Sequence, residues 1–270
     1  MSSLETNQEY SKILEDNVKL TCKAVAVKLL ASEEELPEGY DLIDEKVRHC
    51  EMIRKASYGE KFYSTIEQQS CLGGAGAIGL RDMPPKLASG EKYFELGRFK
   101  DLETAKAATE KLSIIKERYW GIVYSPLDEA TFKPDVIITE PVGGMKLAQT
   151  IVYSSGDKVR PNFAGIQSLC GDALANPFIT GGVNFTLGCD GSRNAADIKD
   201  NEMTIEIRRS YFKPTSYLIT LNNHHNDLYL IIPAHFFLLF HKKCNHHQIF
   251  FLKSDLNYRF HFLNILSYYP

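Results

Sequence analysis

From Tyr211 to Pro270 the chain has no glycine, no valine and no glutamate, and a single alanine, Ala234. At an ordinary usage of about 7% glycine, a stretch of that length would carry roughly four. Phe, Tyr, Leu, Ile, Asn and His take their place, and seven of the eight histidines fall there. A segment poor in Gly, Ala, Val and Glu is what A/T-rich DNA yields in a frame never selected for protein. The composition therefore puts a seam near Ile207 to Ser210. Residues 1–209 read as one domain, and 210–270 as an atypical tail whose composition suggests out-of-frame translation. Charge divides at the same place. Of 31 basic and 34 acidic residues, 26 and 32 precede the seam and 5 and 2 follow it, giving −6 and +3.

Other absences exclude function classes. The start, "MSSLETNQEYSKILEDN", lacks the basic-then-apolar order of a signal peptide, so a cytoplasmic, reducing location is expected. No basic–aromatic pattern suggests a nucleic-acid groove, and the net charge of −3 gives no pull toward anionic membranes. "LYLIIPAHFFLLF", Leu228 to Phe240, falls short of the about 20 apolar residues of a membrane span and is broken by Pro233 and His235. "HKKCNHH", which holds Cys244, looks like a metal cluster, but such clustering is expected where histidine is simply abundant. The C-x-x-C knuckles of structural zinc and the compact runs of ferredoxins are also missing.

What remains is an alternation of helical and strand patterns. Tyr10, Ile13, Leu14 and Val18 share a helical face, which predicts a helix over about Glu9 to Thr21. "AVAVKLL" predicts a buried strand, "RHCEMIRKASYGE" a short helix ending at Gly59, and "KFYSTIEQ" a strand. Asp101 can cap a helix with Leu102, Ala105, Ala108 and Leu112 on one side. "YWGIVYSPL", "DVIITE", "GVNFTLGC" and "MTIEI" read as strands. "GGMKLAQTIVYSSG" reads as a helix with Met145, Ala148, Gln149 and Val152 along one side. No clean βαβ repeat emerges, so the expected class is mixed α/β (α+β) in a single main domain.

Within this frame, "SCLGGAGAIGL" (Ser70 to Leu80) sets a cysteine before a run of glycines. Gly74, Gly76 and Gly79 match G-x-G-x-x-G, yet Pro84 and Pro85 cut off the long helix a dinucleotide site requires, and no acid ends a following strand. No nucleotide cofactor is expected. Three further cysteines, Cys50, Cys170 and Cys189, join Cys71 as candidates, and three of the four stand beside or one residue from glycine. Glycine allows close backbone approach, and successive amides can offset the negative charge of an inorganic cluster. Four thiolates suffice for an iron–sulfur cluster, with Gly73, Gly74, Gly171 and Gly188 as the approaching backbone. Because the spacings are long, any such site is assembled by the fold.

Two other readings stay open. One is an enzyme with a single activated thiol, Cys71 being favoured beside amide-rich backbone that would lower its pKa. The other is a binding or regulatory protein whose cysteines are small, inert core residues. Cys22, at the edge of the first apolar strand, reads as core. His49, the only histidine before the seam, cannot face Cys50 from an adjacent helical position, but could serve Cys71 or Cys170 in space. Ser70, Ser192, Glu51, Asp172 and Asp190 read as solvated or capping groups, and Arg193 as a surface charge that could also bind an anion.

Taken together, "AVAVKLL", "HCEMIRKASYGEKFY", "SCLGGAGAIGL", "SGEKYFELGRF", "GIQSLCGDALANPF" and "NFTLGCDGSR" with "EMTI" resemble DUF 169, a cysteine-containing domain of unknown function from archaea and anaerobic bacteria. The resemblance covers about Val18 to Ile207 and places Cys50, Cys71, Cys170 and Cys189 at the family's cysteine motifs. It implies a grouping rather than a reaction. The anaerobic distribution favours an oxygen-sensitive cluster and a redox partner by association. It also implies a short strand and a closing helix after "EMTI", where this chain departs.

Overall fold

The computed structural model describes residues 2–142, 144–156 and 158–210, together with four strands between 229 and 264. Seven strands build the main sheet: β1 (Val25–Leu30), β2 (Asp41–Leu42), β3 (Phe62–Thr65), β4 (Gly121–Pro126), β5 (Val136–Thr139), β6 (Val183–Thr186) and β7 (Thr204–Arg208). Their order is β2-β3-β4-β1-β5-β7-β6, antiparallel throughout except between β2 and β3. Among the described residues, nine α-helices intersperse them: α1 (Ser3–Val18), α2 (His49–Ser57), α3 (Leu72–Ala77), α4 (Pro85–Ala88), α5 (Glu91–Glu95), α6 (Leu102–Thr109), α7 (Gly144–Ser155), α8 (Asn176–Thr180) and α9 (Asp190–Ala195). A π-helix, Ser168–Ala175, leads directly into α8. The fold is the mixed α/β class expected.

The sheet is covered on both faces, so its central strands are buried end to end rather than alternating with solvent. Period-two alternation then assigns each residue to one of two cores. Val25, Val27 and Leu29 of β1, Ile122 and Tyr124 of β4, and Val136 and Ile138 of β5 join Met52, Ile53 and Ala75 and the π-helix on one face. Ala26, Leu30, Val123 and Ile137 point the other way, toward Tyr10, Leu14 and Val18 of α1 and Leu147 and Ile151 of α7.

α1 buries the predicted stripe, but it begins at Ser3, where Ser2 and Glu5 form a capping box, and it stops at Val18. α7 corrects its prediction. Leu147 and Ile151 are buried, whereas Met145 is 74% and Val152 41% exposed. This helix carries two apolar stripes, and the sheet takes the one holding Leu147.

Strands β8 (Tyr229–Ile232), β9 (Phe236–Lys243), β10 (His246–Ser254) and β11 (Phe260–Asn264) form a separate antiparallel sheet. Cys244 lies outside the described residues, as do Leu228 and Pro233 to His235 of the apolar run. Among the described residues no helix is long and apolar enough to cross a membrane.

Both core clusters of described residues draw only on positions between Tyr10 and Ile207. β7 is complete at Arg208, and the Arg209 amide still donates to the Asp135 carbonyl at 3.2 Å. A chain ending at Ser210 is therefore expected to unfold in one cooperative thermal transition, followed by circular dichroism. A truncated chain without that transition would make the tail part of the fold.

Candidate functional site

Four cysteines from four separate elements meet at one cavity of about 400 Å³. Cys50 lies in the first turn of α2, Cys71 is the N-cap residue of α3, Cys170 sits in the π-helix, and Cys189 is the N-cap residue of α9. The glycine run explains its own position. The Gly74 amide donates to Cys71 Sγ at 3.3 Å. A Cβ on Gly74 would lie 3.4 Å from Cys71 Sγ and 3.7 Å from Cys170 Sγ, so a side chain there would sit between two of the sulfurs. A Cβ on Gly73 would meet Leu87 Cδ1 at 2.8 Å and Gln167 Nε2 at 2.9 Å. Gly73 and Gly74 both line the cavity. Gly171 and Gly188 are not among its lining residues, whereas Gly165 and Gly191 are.

The thiols differ in readiness to ionise. Burial pushes Cys50 up to about 12, helped by negative charge on Cys189, Glu51 and Cys71, with Arg48 opposing. Burial likewise holds Cys170 well above the ordinary thiol value, with Cys71, Cys189 and Cys50 adding to it. Cys50 thus feels Cys189 and Cys71, and Cys170 feels all three of the other sulfurs. Cys189 moves the opposite way: burial raises it, but the amides of Ser168, Ser192 and Gly191 and the Ser192 hydroxyl outweigh that and pull it below the ordinary value. Ser192 also fixes the turn, its hydroxyl accepting from the Cys189 amide at 2.8 Å. Among the described residues, no three His, Cys, Asp or Glu side chains gather closely enough to hold a single metal ion.

Several site residues were not evident from sequence. Gln167 precedes the π-helix in the left-handed region, at φ 54°. Its Nε2 donates to the Tyr93 hydroxyl at 2.7 Å, and its Oε1 accepts from Cys170 Sγ at 3.6 Å. A non-glycine residue there and a π-helix are both features that concentrate at functional sites. Tyr93 lines the cavity from α5, its phenol raised by burial. Arg48 lines it too, donating from Nη1 to the Gly191 carbonyl at 3.1 Å.

The remaining candidates have clear places. His49 is buried and pushed down to about 3 by burial, against a backbone hydrogen bond at Leu169, with Nδ1 2.7 Å from the Tyr124 hydroxyl. Glu51 accepts from the Arg48 amide at 2.9 Å as a cap, and Asp190 pairs with Arg98. Arg193 is engaged by Asp200 and the carbonyls of Lys199 and Leu187, and Ser70 is exposed. Cys22 is removed from the cavity lining, its thiol raised by burial and by Glu140.

Asp172 is buried rather than solvated. Burial raises it to about 7, against hydrogen bonds from Thr186 and other neighbours. An unfolded aspartate titrates near about 3.9, so between about pH 4 and 7 the folded chain holds a proton that the unfolded chain has lost. That stability is present below the unfolded pKa and is lost as pH rises through the folded one. The expected ceiling is about 1.4 kcal/mol per pH unit in that window. Asp172→Asn should remove this part of the slope, read by urea unfolding at pH 5 and pH 8. An unchanged slope would refute the assignment.

The described residues thus form a mixed α/β fold on a mostly antiparallel sheet, with four thiols lining one cavity. The chain belongs to DUF169, described as "Uncharacterised ArCR", whose family model matches residues 13–215. It is also similar to the uncharacterized protein MJ0308 of Methanocaldococcus jannaschii, with 44% identity over 202 residues, covering 73% of this chain and 87% of that protein. No solved structure matches the chain at a significant level.

Proposed function

We propose that Cys50, Cys71, Cys170 and Cys189 hold an iron–sulfur cluster used for electron transfer or cofactor-linked redox chemistry in the cytoplasm. The observation that carries this reading is the arrival of four thiols from four distant elements at one cavity, with Gly74 leaving room between two sulfurs. A single ion would need its ligands at about 2.3 Å from one centre, tighter than the described groups allow. In a four-iron cluster each thiolate would bind its own iron, so the sulfurs would stand further apart than around a single ion. The amides around Cys71 and Cys189 would offset the negative charge of such a group. The burial that raises Cys50 and Cys170 is the burial that metal binding would overcome by deprotonating them. The cluster would supply one-electron chemistry; the chain supplies ligands, amide dipoles and exclusion of water.

Anaerobic purification followed by iron and acid-labile sulfide analysis tests the proposal. Iron and sulfide in comparable amounts with a broad visible absorption are expected. A colourless, iron-free protein that also fails anaerobic reconstitution with iron and sulfide would refute it.

A second reading has its own observation. The amides facing Cys189 favour its thiolate, so Cys189 joins Cys71 as a candidate nucleophile for an enzyme with one activated thiol. Alkylation of metal-free protein at pH 6 to 7 reads this directly: preferential labelling of Cys189 supports it, and labelling without preference removes it.

A further inference from the structure

We infer that the same cavity holds a second subsite, at Arg48, that binds a short-chain monocarboxylate. This goes beyond the proposed cluster by naming a substrate class for its cavity; it rests on that reading for the chemistry but not for the binding. Arg48 is the one cavity-lining cation among the described residues without a carboxylate partner. Its hydrogen bond is to the Gly191 carbonyl alone, while the other lining arginine, Arg98, is paired with Asp190. A guanidinium carries five N–H donors in a planar fork, so most of this one's capacity is unspent. Gly191 makes the approach possible. A Cβ there would lie 3.4 Å from Arg48 Nη1 and 3.6 Å from Cys189 Sγ, so the cation stands beside the thiol site with no side chain between them.

The class of anion follows from charge and shape. One guanidinium matches one planar carboxylate through two parallel hydrogen bonds, and Asp190, which also lines the cavity, disfavours a phosphate dianion more than a monoanion. Part of the wall is apolar: Leu87, Leu96, Ile166 and Leu169 line it, beside the polar Tyr93, Gln167 and Asn194, and Leu96 stays 56% exposed. A volume of about 400 Å³ lies in the range of small-molecule sites, roughly 300–1,000 Å³, and a cluster would take part of it. A carboxylate with a short hydrocarbon body fits what is left, its charged end on Arg48 and its body along the leucines.

Equilibrium dialysis of the anaerobic full-length protein against labelled propionate, with propionamide and inorganic phosphate as competitors, tests this. Propionate is expected to bind, unlabelled propionate to displace it, and the other two to compete poorly. Arg48→Gln should weaken binding by about tenfold or more, as for a lost charge-assisted hydrogen bond. Iron is assayed on the same samples: Arg48-dependent binding to iron-free protein would sustain the subsite while the cluster reading fails, and iron without binding would do the reverse. Equal competition by propionamide or phosphate, or unchanged affinity in Arg48→Gln, would overturn the inference. If Arg48→Gln does not fold, the wild-type competition series decides alone.

Discussion

Cys170→Ser is expected to leave the anaerobically prepared protein folded but without bound iron. The same loss is expected for Cys50→Ser, Cys71→Ser and Cys189→Ser, whereas Cys22→Ser should keep its iron. The contrast follows from position. The first four line one cavity, and Cys22 lies apart beside Ser57 and Glu140. Cys170 gives the sharpest case, since the π-helix presents its sulfur to the cavity and its other bond is to Gln167. Far-UV circular dichroism establishes folding, and iron is counted per chain. Iron retained by any of the four serine variants, or lost equally from Cys22→Ser, would break the assignment.

The largest effect on stability is expected at Arg54. This α2 residue reaches across to the segment that follows α9. It donates to the Ala196 carbonyl at 2.8 Å and the Asp197 carbonyl at 3.1 Å, and pairs with Glu140 at 2.9 Å and Glu202 at 3.0 Å. Its side chain is 14% exposed and that of Glu140 only 7%. Removing one partner of such a buried network leaves charge without compensation, at a cost of about 3–5 kcal/mol. Burial already raises Glu140, so loss of the guanidinium should push its carboxyl further toward the neutral form. Arg54→Ala should therefore lower the urea midpoint strongly. Because Arg54 joins the helix of Cys50 to the segment after Cys189, iron should be lost with it. A midpoint within experimental error of wild type would show that these bonds contribute little.

The elements that could be read from the sequence are those whose apolar period serves one neighbour. α1 and β1 are such cases: Tyr10, Leu14 and Val18 bury as their spacing implies, and Val25–Leu30 is buried on both faces. α7 was not legible, because two apolar stripes compete and only the docked sheet selects Leu147 over Met145. The π-helix was not legible either, since Gln167 at its start is held by a long-range bond to the Tyr93 hydroxyl, which no local pattern announces. At the site, the four cysteines and Gly73 and Gly74 mark segments that line one cavity, whereas Gly171 and Gly188 fall outside its lining. The convergence of those segments depends on contacts across more than a hundred residues, such as Arg48 to Gly191. Tyr93 lay in a stretch, "SGEKYFELGRF", that carries family resemblance but no chemical pattern of its own. Arg48 adjoins the His49–Cys50 pair, and nothing in its spacing distinguishes a cavity cation from a surface one.

Iron K-edge X-ray absorption on the anaerobic protein addresses the shared centre most directly. The account predicts an all-sulfur first shell with iron–iron scattering beyond it, and disappearance of both in Cys170→Ser. A first shell of nitrogen or oxygen, or iron without an iron neighbour, would contradict it.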